Sequence, residues 1–92
     1  MIRVAHREGN EWEVSVESRT PTTHRVQVSP SDLDRLGNGR SAEDLLRASF
    51  EFLLEREPNT AILSSFPLPL ISRYFPEYEV DIQKRLGRRS DH

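Results

Sequence analysis

The first third of the chain alternates apolar and polar side chains with a period of two. Trp12, Val14 and Val16 alternate with Glu11, Glu13, Ser15 and Glu17; His24, Val26 and Val28 alternate with Thr23, Arg25 and Gln27. Ile2, Val4 and His6 continue the pattern toward the N-terminus. A period of two puts successive side chains on opposite faces of a strand, so each run predicts a half-buried β-strand. Three such runs, at about 2–7, 11–18 and 22–28, predict an antiparallel meander with one apolar face. Parity fixes the expected registers. A three-residue turn at Glu8-Gly9-Asn10 sets His6 opposite Trp12, Val4 opposite Val14 and Ile2 opposite Val16. A two-residue turn would bring arginines into the apolar row. An equivalent turn at Arg19-Thr20-Pro21 would set Val16 opposite His24 and Val14 opposite Val26.

The period then changes to that of a helix. Pro30 after Ser29 starts a short helix that Gly37 ends, at about 30–36. After "GNGR", Ser41 with Asp44 three residues on resembles a capping box and opens a longer helix, about 42–56. Ala42, Leu45, Leu46, Phe50, Phe52, Leu53 and Leu54 cover well over half its circumference. A helix that apolar is covered on more than one side. Pro58 ends it. In "FPLPLISRYFPEYE", residues 66–79, Pro67 keeps the entry extended, and Pro69 and Pro76 start short helices at about 69–74 and 76–86. Phe75, Tyr78 and Ile82 fall at helical spacing and form a stripe that can lie on the long helix. The expected architecture is therefore α+β: a three-stranded meander covered on one face by the 42–56 helix and the short helices. It forms a single domain over 1–86, followed by a basic tail at 87–92.

Composition narrows what such a domain can do. The 92 residues suffice for one core. Net charge is −2, which gives no whole-molecule attraction to nucleic acid or anionic lipid. The sequence contains no cysteine, which removes thiolate chemistry and disulfides and suits the cytoplasm. The first residues lack the apolar segment of a signal peptide, and no run approaches membrane-spanning length. A cytoplasmic protein without a membrane partner is expected.

Motifs for catalysis or metal binding fail on inspection. "DLDRLGNGRSAE", residues 32–43, has acids and glycine at the positions of a calcium loop. However, Leu36 and Arg40 fall where ligands belong, and a helix end followed by a cap explains every residue. "GNGR" lacks the spacing of a phosphate-binding loop. His6 and His24 are expected roughly 15 Å or more apart across the meander, too far to share a metal. Glu11, Glu13 and Glu17 lie on the solvent face near Arg3, Arg7 and Arg25, which predicts cross-strand charge pairing rather than acid–base catalysis. No nucleophile stands out, and no cofactor is implied. "QKRLGRRSDH" is locally basic, which suits a helix C-terminus and a tail as well as nucleic acid. The sheet face lacks the stacked aromatics of an RNA-binding surface.

The segments "SFEFLLEREPNTAIL" and "ISRYFPEYE" resemble a family of small uncharacterised bacterial proteins, over about the C-terminal two thirds of the chain. The resemblance implies a bacterial, cytoplasmic setting and carries no catalytic residue, ligand or partner. The residues themselves favour a non-catalytic protein-interaction module, a homodimer or an adaptor. Its warrant is the surplus of apolar side chains over what three strands can cover. Phe66, Leu68, Tyr74, Phe75 and Tyr78 are the expected contact residues. A nucleic-acid-associated protein using the basic tail is one alternative. A small-ligand binder or enzyme with a site between sheet and helices is the other.

Overall fold

The computed structural model describes residues 1–87; of the basic tail expected at 87–92, Gly87 ends the last helix and the rest lies outside the described residues. Over the described residues the fold is α+β, with a four-stranded mixed sheet and four helices. Strands β1 (Ile2–Glu8), β2 (Glu11–Val16) and β3 (Thr22–Gln27) form the meander. Helices α1 (Pro30–Leu36) and α2 (Ala42–Leu54) and a 3₁₀ turn (Asn59–Ala61) lead to β4 (Ser65–Pro67). Helices α3 (Leu70–Tyr74) and α4 (Tyr78–Gly87) complete the fold.

The β1–β2 register is the expected one: Ile2 faces Val16, Val4 faces Val14 and His6 faces Trp12. The turn itself is tighter. Glu8 faces Glu11 across Gly9 and Asn10, and a bulge between His6 and Glu8 absorbs the odd residue. Gly9 has φ +58, the left-handed conformation that a tight turn asks of glycine.

The β2–β3 register departs from expectation by two residues. Val14 faces His24, Val16 faces Thr22 and Trp12 faces Val26. The connection is five residues long because polar side chains hold it open. Ser18 Oγ donates to the Thr20 carbonyl, and Asn59 Nδ2 donates to the same carbonyl from across the chain. With this register His6 and His24 come to roughly 12 Å by strand spacing, nearer than expected. They remain in separate environments, His6 against Trp12 and His24 against Phe50.

Strand β4 was not legible as a strand. It pairs in parallel with β3, Val26 facing Phe66, and the intervening helices form the crossover that a parallel pair requires. Short as it is, β4 carries Phe66 into the core and supplies part of the cover that three strands lack.

Ser29 caps α1 with a full capping box through Asp32. Ser41 accepts from the Asp44 N–H, but the Asp44 carboxylate turns to Arg40 at 3.3 Å rather than closing a second box. Asp32 and the residues up to Glu43 are thus a helix end, a glycine turn and a helix start. Helix α2 stops at Leu54, two residues early, because the Leu53 carbonyl takes the N–H groups of both Arg56 and Glu57. Leu45, Leu46, Phe50, Phe52 and Leu53 are buried on different sides of it, between the sheet and α4. Helix α4 starts at Tyr78, not at Pro76; residues 75–77 make a turn in which the Tyr78 N–H donates to the Phe75 carbonyl. Tyr78, Ile82 and Leu86 are its buried stripe.

Candidate functional site

The five expected contact residues divide between core and surface. Phe66, Leu68 and Tyr78 are buried, which corrects their assignment to a contact surface. Phe66 is drawn inward by β4 pairing. Leu68 is anchored by its own N–H, which donates to the Gln27 carbonyl at 2.9 Å. Tyr78 packs its ring against Phe52 at 5.2 Å and places its hydroxyl 2.6 Å from Ser49 Oγ. Burial pushes its phenol well above the ordinary value of 10.0.

Tyr74 and Phe75 are different. Tyr74 is 64% exposed at the end of α3, and Phe75 is half-buried, edge-on to Phe52 at 5.9 Å. Both line an open groove of about 380 Å³. One wall is the end of α2, with Leu53 and Glu57; the other is α3, with Leu70 and Ile71. Phe66 contributes from β4, and Leu63 from the segment before it. Leu63 is 48% exposed, so two of the large exposed apolar side chains meet at one groove. Apart from the Tyr74 phenol and the Glu57 carboxylate the lining side chains are apolar. The sequence offered no signal for Leu63, whose place in the lining follows from the β3–β4 pairing.

A polar network beneath the groove holds its Leu63 side in place. The Leu63 carbonyl can only accept, so His24 Nδ1 carries the proton that bridges them at 2.7 Å. Nε2 bonds Thr22 Oγ1 at 2.9 Å, and Thr22 Oγ1 accepts from Asn59 Nδ2 at 2.8 Å. His24 and Asn59 are both buried. His24 is a buried structural ring, not an exposed base.

Charged residues hold α4 to the end of α2. Arg85 makes a two-pronged contact with Glu55 and also binds Asp81; Arg56 binds Glu77 and lies 3.7 Å over the Phe52 ring. The hydrogen bond from Arg85 holds the Glu55 carboxyl below the usual range. Arg85 belongs to the basic run considered for nucleic acid, and its guanidinium is committed to these two acids. The open face of the sheet carries the expected cross-strand pairs: Arg3–Glu17 at 3.0 Å, Arg7–Glu13 at 3.5 Å and Arg25–Glu11 at 3.3 Å.

Among the described residues, no cluster of three or more histidines and carboxylates could hold a metal, and no helix is long and apolar enough to cross a membrane. Comparison with protein-family models, curated proteins and solved structures finds no match to this chain.

Proposed function

We propose that the chain is a small non-catalytic protein-interaction module whose docking surface is the apolar groove between α3 and the end of α2. The observation that carries this reading is the meeting of two exposed apolar side chains, Tyr74 and Leu63, at one groove. Phe66, Leu68, Ile71 and Tyr78 of the same segment are buried. An exposed tyrosine beside a half-buried phenylalanine supplies the amphipathic contact area that protein interfaces favour. The groove has the scale of a site for one or two partner side chains. Its lining supplies no histidine, serine or lysine to pair with Glu57, which favours docking over catalysis. The cytoplasmic bacterial setting belongs to the same proposal and rests on the family resemblance and the absence of cysteine.

Replacing Tyr74 by the photo-reactive p-benzoylphenylalanine tests the reading in living cells. The expected result is a discrete protein adduct absent when the same group replaces Thr23, an exposed residue on the charged face of the sheet. No adduct, or the same adducts from both positions, would overturn it. An adduct with lipid or a small metabolite would instead favour a ligand site.

A further inference from the structure

The two edges of the sheet are built differently. β4 exposes an edge of three residues, and Pro67 has no N–H to offer a neighbour. β1 exposes seven residues with no proline. Met1 and Glu17 exchange hydrogen bonds in both directions, at 2.8 and 3.2 Å. Antiparallel alternation then turns the N–H and C=O groups of Ile2, Val4 and His6 away from β2, toward the free edge. One of these groups is met from within the chain: Arg47 donates to the Ile2 carbonyl at 2.6 Å, standing where a neighbouring strand would put its own donor. Among the described residues, none hydrogen-bonds to the outward backbone of Val4 or His6.

We propose that β1 pairs antiparallel with β1 of a second copy, about a twofold axis at Val4, to make one continuous eight-stranded sheet. Charge selects both occupant and register. Centring the pair on residue 3 sets Arg3 against Arg3. Centring it on residue 5 sets Arg3 against Arg7 and runs into the bulge between His6 and Glu8. Directly opposed like charges are destabilising. Centring on Val4 sets Arg3 against Ala5 of the second copy, twice by symmetry, while Arg3 and Arg7 keep their own partners Glu17 and Glu13. On the helix side, Val4 then meets Val4 and Ile2 meets His6, which covers the two half-buried apolar side chains of the edge. Arg47 keeps the Ile2 carbonyl of each copy, so the three residue pairs give on the order of four new backbone bonds. This surface is separate from the groove and does not depend on it.

Sedimentation velocity over a concentration series, on wild type and variants, tests the pairing. Wild type should show a concentration-dependent dimer. Ala5→Lys places a cation opposite each Arg3 and should weaken the dimer roughly three- to ten-fold; Ala5→Glu should tighten it by a similar factor. Ala5 also faces Glu13 within the chain, so thermal unfolding at concentrations where the protein is monomeric separates any effect on the fold. The chain has no cysteine of its own, so an oxidised Arg3→Cys, Ala5→Cys double variant should give a disulfide-linked dimer. Wild type that stays monomeric, or a dimer indifferent to both Ala5 changes, overturns the proposal. A dimer that responds to Ala5 but does not cross-link overturns the Val4 register.

Discussion

Tyr78 donates its phenolic proton to Ser49 Oγ across 2.6 Å, and Ser49 passes its own to the Leu45 carbonyl at 2.7 Å. This two-step chain ties α4 to α2 inside the core. Its members are unequal. Tyr78→Phe removes a donor and leaves Ser49 bonded to Leu45, at a cost of about 1 kcal/mol. Ser49→Ala strands the buried Tyr78 hydroxyl, and desolvation raises the cost to about 1–3 kcal/mol. The double variant should cost less than the sum of the two, because it strands nothing. Urea denaturation of the three variants measures this; strict additivity would mean that the two hydroxyls are not coupled.

Alkaline titration should distinguish the two tyrosines of the chain. Burial raises the Tyr78 pKa above its ordinary 10.0, so the folded state prefers the neutral phenol. Stability from this group is complete below about pH 10 and falls as pH rises toward the folded pKa. Phenolate absorbance should therefore show the Tyr78 phenol ionising only as ellipticity is lost. Two tyrosines ionising with the fold intact would contradict the burial.

The acid limb has the opposite sign. Arg35 and then Ser72 hold Glu79 below the ordinary 4.5, Arg85 does the same for Glu55, and Glu77 is lowered by its own backbone N–H and then by Arg56. A depressed folded pKa gives stability that is present above about 4.5 and lost as pH falls through the folded value. Urea midpoints should therefore decline below about pH 4.5, and the decline should shrink in Glu55→Gln, Glu79→Gln protein. An identical acid limb in that variant would leave these ion pairs without a role.

The direction of the His24 network is open to NMR. Long-range proton–nitrogen correlations should show the proton on Nδ1, as the Leu63 carbonyl demands. Thr22→Val leaves both His24 Nε2 and one Asn59 N–H without their partner and should cost about 1–3 kcal/mol. A proton on Nε2, or a neutral Thr22→Val, would refute the chain as described.

Core and surface within residues 66–79 should separate cleanly by truncation. Leu68→Ala should cost about 2–5 kcal/mol, whereas Tyr74→Ala should stay within about 0.5 kcal/mol. Comparable losses at both positions would show that Tyr74 serves the fold.

The sequence made some of this legible, and the limits have physical causes. The β1–β2 register could be read because only one parity keeps arginines out of the apolar row. The β2–β3 register could not, because the loop length is set by Asn59, some forty positions away from its partners in the chain. Strand β4 has no local signature at all. Three residues next to proline become a strand only because β3 offers them a ladder. The same pairing buries Phe66 and Leu68, residues whose apolar character alone fitted core and contact surface equally well. The Tyr78–Ile82 stripe was readable because helical spacing is local. Tyr74 and Phe75 kept their place in the candidate site; Leu63 joined them only through the tertiary fold.

The proposed docking groove is tested most directly at Leu63. In protein carrying the photo-reactive group at position 74, Leu63→Lys changes a side chain that is 48% exposed and leaves the Leu63 carbonyl free to receive His24. The yield of the position-74 adduct should fall sharply while circular dichroism and the urea midpoint hold. An undiminished adduct from the folded Leu63→Lys protein would contradict docking in the groove.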